Sequence, residues 1–465
     1  MKSLFFYTTI AVLVLTSCNV EESISSSDSV FSLTDEEQLF VTAKTSNHTI
    51  NEYQALQIAN QFNLSHSTRS NNNSGLLTPI TKAQLGISDN TEYRQLSDTI
   101  IYLYNEENGY CSLIAADNRI GQKHLGQIKR DLLFPKSNEN VSLELCDFIR
   151  ESLLQTIKDK IERYESVKDS MNHEIARKIN IFLNGQNTAN ITTRANADPE
   201  IGFDPDDYDV DVLDVVLSPW QEDLSIEPLL PVAWGQLYPY NDYVRDTIQC
   251  NNYYGVPTGC AATAVAMLMA YWNYPATLNG LYLDWSDITA YDYPYSSSAK
   301  HQVRTIMKTI GVECNATYGC DGTSINVNTA KNWLLSHGYT CGDRVNYNFT
   351  DVISCLTAEE PVFITGKTVS GTGHGWIIDG AIVEKRTVHR YYVYTNMITG
   401  DSFTIDGGII VDYSRYFNNN YGDGNAISWL ASDLYTYIGS SYPIEVKYSN
   451  ILDHHYNEEN STIIP

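Results

Sequence analysis

The hydrophobic pattern of this chain changes character several times. Leu4 to Leu15 is a largely apolar run behind a single cation, Lys2. Residues 19 to 48 are polar and rich in Ser and Thr, which predicts a tether. Between Thr49 and Asn63, Ala55, Ile58, Ala59 and Phe62 fall on one face, so an amphipathic helix is predicted there. Tyr102-Leu103-Tyr104 and Cys111 to Ala116 read as strands, and Asn105-Glu106-Glu107-Asn108-Gly109 between them is a hairpin signal. Ile149, Leu153, Ile157, Ile161, Tyr164, Met171 and Ile175 then recur at intervals of three, four or seven residues, which predicts one long helix.

The pattern breaks at Asp198 to Asp223. This segment holds ten acidic residues, no Lys or Arg, and Pro199, Pro205 and Pro219. Charge repulsion and proline predict an exposed linker without regular structure, open to proteases; an acidic spacer that is never processed is the plainer alternative. Beyond it come tyrosine-rich strand and loop segments, a helix over Ser324 to His337 and a strand over Tyr391 to Thr395. The tail from Asp453 is polar, and His454 and His455 there read as solvated rather than as a metal pair.

The most concentrated signal is Thr258-Gly259-Cys260 followed by Ala261 to Trp272, apolar nearly all round. Val256-Pro257 favours extended chain, Thr258 suits an N-cap, and Cys260 then falls in the first turn of a buried helix. Unpaired N–H groups and the helix dipole favour an anion there, so this thiol is expected to ionise more readily than a free cysteine. The plain alternative is a small buried cysteine in a core helix. Gly371-Thr372-Gly373-His374-Gly375-Trp376 reads as a short strand opened by glycines, which predicts an uncrowded, accessible imidazole. A cysteine and a histidine far apart in sequence are candidates for a nucleophile and its base.

Length and composition bound the rest. At 465 residues with 43% hydrophobic content, the chain has room for two or three domains. Its formal charge of −26 argues against nucleic acid and anionic membranes as partners. The N-terminal run has the dimensions of a signal peptide, and Leu15-Thr16-Ser17-Cys18 has the form of a lipobox. Cys18 would become lipidated and begin the mature chain; a plain secretory signal is the alternative. Of nine cysteines, removing Cys18 and Cys260 leaves an odd number, so a complete disulfide framework is not expected. Cys314 and Cys320 are near enough in sequence to be a candidate bridge. No paired CxxC or histidine spacing suggests zinc, and no cofactor or metal is implied.

Several of these segments resemble the streptopain family of cysteine peptidases. Leu229 to Gln236 followed by Pro239-Tyr240-Asn241 resembles the start of the family's mature enzyme, and Thr258 to Ala264 its nucleophile motif. Gly311-Val312 with Tyr318 and Gly322-Thr323-Ser324 resembles its mid-domain signature, and Gly373 to Gly380 its histidine motif. The resemblance implies an α+β, papain-like fold, Cys260 as nucleophile, His374 as base, and synthesis as a zymogen. It also implies Gln236 as an oxyanion donor beside the Cys260 N–H, whereas Tyr254 stands near the spot where papain has its glutamine. The family's Asn-Trp-Gly-Trp-Gly-Gly has its nearest counterpart in Asn420-Tyr421-Gly422-Asp423-Gly424, without either tryptophan. Asn420 is the candidate third member, and Asn396 its rival. Asn19-Val20-Glu21-Glu22 resembles the acidic flank of surface-exposed lipoproteins of Bacteroidetes.

The expected organisation is a signal peptide at 1–17, a lipid-proximal tether at 18–48, a pro-region at 49–197, an acidic linker at 198–223 and a peptidase domain at 224–465. The expected product is an exported, outer-membrane or cell-surface endopeptidase acting on proteins or peptides. Its own pro-region would inhibit it, and only Cys18 would hold it to a membrane. Two alternatives stay open: a catalytically impaired binding protein on a peptidase scaffold, or an acyl-transferring relative using the same pair.

Overall fold

Among the described residues of the computed structural model, twelve strands join into one sheet that runs through both halves of the chain. The described residues are 31–43, 48–66, 76–86, 94–105, 109–135, 143–186, 207–251, 254–368, 370–424, 427–434 and 447–454. The predicted signal run, Cys18, Arg194 and His455 lie outside them. The first half comprises α1 (Asp35–Ala43), α2 (Glu52–His66), β1 (Leu77–Thr81), β2 (Thr99–Asn105), β3 (Tyr110–Ala115), β4 (His124–Lys129), α3 (Arg130–Leu133) and α4 (Leu143–Gln186). Next come β5 (Tyr208–Ile226), α5 (Cys260–Trp272), β6 (Thr277–Leu278), β7 (Leu281–Tyr282), α6 (Trp285–Ile288), α7 (Ser297–Glu313) and α8 (Val327–Ser336). The chain continues through β8 (Tyr339–Cys341), β9 (Val345–Asn346), α9 (Phe349–Thr357), β10 (Val362–Lys367), β11 (Gly373–Asn396), β12 (Ser402–Asn420), β13 (Ile427–Ala431) and β14 (Lys447–His454). The fold is α+β, with the cysteine-bearing helix α5 laid against an antiparallel sheet.

The sheet order is β1-β2-β3-β4-β13-β12-β11-β10-β14-β8, with β5 alongside β11 and β9 alongside β14. The predicted hairpin is β2–β3, with Tyr104 opposite Ser112. Its sheet joins the C-terminal half where Gln127 and Gly126 of β4 meet Trp429 and Leu430 of β13. Gly126 sits at φ +130°, and a Cβ there would lie 2.1 Å from the Trp429 carbonyl oxygen, so only glycine admits this approach.

Strand alternation divides the core at β10 and β11. Phe363 and Ile377 point to α5, where Ala262, Val265, Ala266 and Met269 are wholly buried. Ile364, Trp376 and Ile378 point the other way, into a core shared with Leu113 and Ile128 of the first half and Phe148, Ile149 and Leu153 of α4. The predicted long helix is therefore present, and its apolar stripe closes the sheet's second face.

Two expectations are corrected here. Residues 208–223 are not an irregular linker, because they form most of β5, paired antiparallel with the outer half of β11. Alternation overrides the charge: Val210 and Val212 face a core, while Asp209, Asp211 and Glu222 stay at the surface or part-exposed. The strand expected at 391–395 is the far end of a 24-residue strand, and β5, β11 and β12 project together as a three-stranded arm.

Candidate active site

Gly259, not Thr258, precedes the first turn of α5. Gly259 has φ +97°, and a Cβ there would lie 2.7 Å from the carbonyl oxygen of Thr323, so the turn that delivers Cys260 requires glycine. Thr258 serves the loop instead: its N–H donates to the Gln236 carbonyl at 2.9 Å, and its hydroxyl shares a hydrogen bond with Thr263. Thr323 locks the other flank by donating from Oγ1 to the Pro257 carbonyl at 2.7 Å. Cys260 is thus the first residue of a helix that is buried from its second residue to its eleventh.

The helix meets the sheet one residue from the histidine. The backbone N–H groups of Gly375, Ala261 and Cys260 lie near the Cys260 sulfur and favour its anion. No hydrogen bond joins Cys260 to His374. The His374 ring instead donates from Nε2 to the Tyr421 carbonyl at 2.9 Å, which leaves Nδ1 as the acceptor of the neutral ring. Trp376 stacks beside the imidazole at 6.0 Å and 24°, and Tyr421 lies 6.0 Å away on another side. These two aromatic rings are the imidazole's neighbours on β11 and in the turn after β12.

Both side chains are held neutral. Cys260 keeps part of its surface exposed, yet the packing around the sulfur pushes its thiol up to about 11, and the Glu144 carboxylate adds to the rise against the backbone N–H groups. Burial likewise pushes His374 down to about 4, partly offset by the Tyr421 carbonyl. The expectations of a readily ionised thiol and an accessible imidazole are therefore both corrected for this state. One helix, α4, contributes to the surroundings of both groups. On α4, Glu144, Phe148 and Glu151 share a face at i, i+4 and i+7. The Phe148 ring lies 5.5 Å from the His374 ring and fills the hollow at Gly366, where a Cβ would be 2.9 Å away. The Glu144 carboxylate fills the hollow at Gly322, 1.9 Å from a Cβ position, and Glu151 accepts from the Ser370 hydroxyl at 2.5 Å. Burial and the neighbouring Asp321 raise the Glu144 carboxyl above its ordinary range.

Asn420 does not touch the imidazole. Its amide donates to the Val232 carbonyl at 3.0 Å, and its Oδ1 accepts the Gly422 N–H at 3.3 Å. It shapes the turn whose Tyr421 carbonyl orients His374, so the orienting acceptor is backbone rather than side chain. The same residue straps down the segment leading to Gln236. That segment is tied also by Leu229 and Leu230, which donate to the Asp379 carbonyl and carboxylate at 2.9 and 3.1 Å. Gly424 completes the strap by donating to the Trp234 carbonyl at 3.1 Å. Asp379 is wholly buried, and its carboxyl is pushed up to about 7 by that burial, against the Leu230 N–H and the Asn418 amide.

Gln236 is buried two hydrogen-bonded residues from Cys260, and its side-chain amide has no hydrogen-bond partner among the described residues. The rival Asn396 is remote: its Oδ1 caps the β11–β12 turn through Ile398 and Thr399 N–H groups. The Tyr254 carbonyl accepts from Asn241, away from the pair. The candidate Cys314–Cys320 bridge is corrected, since Cys320 pairs with Cys250 and Cys314 is buried and free. Among the described residues no group of His, Cys, Asp and Glu is arranged to hold a metal ion.

Sequence reading missed Glu144, Phe148, Glu151 and the Tyr421 carbonyl. Phe148 stands within an apolar helical stripe and carries no mark distinguishing it from core, and a backbone carbonyl leaves no signal at all.

Comparison with known proteins supplies the context. No curated protein matches the chain. A prointerpain A fragment from Prevotella intermedia is similar at 17% identity, covering 77% of this chain and 97% of that one, with a TM-score of 0.43. Active wild-type interpain A cysteine protease from the same organism is similar at 20% identity, covering 49% and 95%, with a TM-score of 0.33. Residues 234–426, the segment bearing Gln236, Cys260, His374 and Asn420, match the model of the peptidase C10 family.

Proposed function

We propose that this chain is the zymogen of an exported cysteine endopeptidase, held inactive by α4. The observation that carries this reading is the meeting of Cys260, at a helix N-terminus, with the Gly375 N–H beside a tautomerically fixed His374, under Glu144 and Phe148. Residues 49–197 would form the pro-region and 224–465 the peptidase domain. Cleavage would fall in or beside 198–223, including after Arg194.

Once α4 leaves, water reaches the thiol and the imidazole, and the burial that neutralises both is relieved. The sulfur passes its proton to Nδ1 of His374, while the Tyr421 carbonyl keeps Nε2–H in place. The thiolate attacks the scissile carbonyl, and the oxyanion is met by the Gln236 amide and the Cys260 N–H. His374 then protonates the leaving amine, and water attacks the thioester to release the acid and regenerate the thiol. The lipidated Cys18 would place the enzyme on an outer membrane or cell surface.

Turnover of casein under reducing conditions by a chain beginning near residue 207, compared with its Cys260→Ala variant, tests the reading. Hydrolysis that depends on Cys260 and His374 is expected. Folded protein without turnover favours the impaired-scaffold alternative, and amine-coupled rather than hydrolysed product favours acyl transfer.

A further inference from the structure

The segments before β5 are the expected pro-region and, with α1, the part of the expected tether that packs into a core. They touch the C-terminal half along the β4–β13 seam with the core beneath it and, separately, on the arm. The first of these contacts is continuous with Glu144 and Phe148 over the cleft. The other is on the arm. There Phe31, Leu33, Phe40 and Val41 from around α1, with Ile175 and Ile179 of α4, bury Val210, Tyr392, Tyr394 and Ile405. Tyr392 and Tyr394 are 1% and 2% exposed, and Phe31 meets Tyr392 edge-on at 6.1 Å. Arg390, fixed within the arm by Asp214 at 2.7 Å, also donates to Gln38 of α1 at 3.4 Å. Phe148 and Ile179 are 31 positions apart on one helix, about 46 Å.

We propose that this face of the β5–β11–β12 arm is a docking surface for the chain's own pro-region, acting separately from the cleft. The proposal rests on the zymogen reading. Cutting between α4 and β5 removes the covalent link but neither contact, so the severed pro-region stays bound. The arm grips the far end of α4 and thereby presents Glu144 and Phe148 to the cleft at high effective concentration. Linked sites of this kind strengthen overall binding by roughly 10²–10⁴ over either alone. Activation then requires loss of the arm contact or digestion of α4, not a single cut. The occupant is specified by the surface itself: an amphipathic helix pair presenting aromatic and β-branched residues to a tyrosine-lined strand face. The opposite face of the arm carries exposed Leu213, Val215, Ile409 and Val411 and has no such cover among the described residues.

The test uses the full chain carrying Cys260→Ala, with a site-specific protease sequence placed within 187–206. After complete cutting, the two pieces should co-elute in size exclusion. Ile179→Asp should weaken their association by about 10² or more by surface plasmon resonance. Ile405→Ala, on the arm side and milder, should weaken it in the same direction, with the circular dichroism of each piece unchanged. In the Cys260 chain, the same substitutions should raise the inhibition constant of the severed pro-region without changing turnover of the freed enzyme. Unchanged association in both variants, or dissociation of the wild-type pieces on cutting, overturns the proposal. Binding is read in the Cys260→Ala chain, so an absence of peptidase activity sinks the zymogen reading while leaving the docking result to stand.

Discussion

In the intact chain, Cys260 should alkylate slowly at neutral pH, and uncovering it should restore ordinary thiol reactivity. The perturbation is the double substitution Glu144→Ala with Phe148→Ala, which removes the two side chains filling the hollows at Gly322 and Gly366. Burial and Glu144 hold the thiol near 11, against an ordinary value of 9.0. Only the thiolate reacts, and well below the pKa its fraction falls tenfold for each pH unit that separates the two. The two-unit difference therefore suppresses the thiolate by about 10² at neutral pH. Iodoacetamide labelling followed by peptide mass spectrometry, from about pH 6 to about pH 11, reads both rate and midpoint. The midpoint should move from about 11 toward 9, with the neutral-pH rate rising about 10²-fold. Cys341, also held near 11 by burial but on β8, is an internal reference whose midpoint should not move. A wild-type midpoint below about 9, or a double variant that labels like wild type while Phe148 no longer covers His374, would refute the reasoning.

Acid should destabilise the intact chain through His374. Its folded value of about 4 lies below the ordinary 6.5, so the neutral ring's contribution is complete above 6.5 and fades as pH falls toward 4. The loss, on the order of 3 kcal/mol, should show in denaturant midpoints and be absent in His374→Gln. Gly259→Ala should cost about 1–3 kcal/mol in thermal unfolding and impair turnover of the activated enzyme, because it forces a side chain into φ +97° against Thr323. Cys250→Ser opens a 70-residue loop and should lower stability by about 4 kcal/mol in a chain-entropy account; unchanged melting would argue that the bridge is dispensable. Asn420→Ala should reduce kcat more than it raises KM, by about 10² or less, since it loosens both the Tyr421 turn and the Gln236 strap; Asn396→Ala should leave both constants near wild type.

Local periodicity carried much of the fold. The hairpin over 102–116, the long helix through Ile149 and Ile175, and the apolar helix behind Cys260 all repeat over enough residues to outweigh competing readings. The acidic segment misled because composition was weighed there and alternation was not. Every second residue from Asp209 to Asp211 is charged, but Val210 and Val212 between them form the buried side of a strand. At Thr258 the capping preference failed, because close contact with Thr323 imposes a glycine conformation one residue later and Gly259 precedes the helix with no side-chain cap. Cys314 and Cys320 are near in sequence, but Cys250 is the partner that the fold brings to Cys320, 70 residues away.

The sequence by itself determined the chemistry on offer: a thiol at the head of a buried helix, an imidazole between glycines, and an amide ahead of both. These are local facts, set by residue type and spacing, and they needed no third dimension to be read. Tertiary structure alone decided the state of that chemistry. Ionisation depends on solvent and on neighbouring charge, and Glu144 beside Cys260 and Phe148 against His374, more than a hundred positions upstream, alter both. It also decided that a backbone carbonyl at Tyr421, rather than the Asn420 side chain, holds the imidazole. A carbonyl is common to every residue, so only the path of the chain could single this one out.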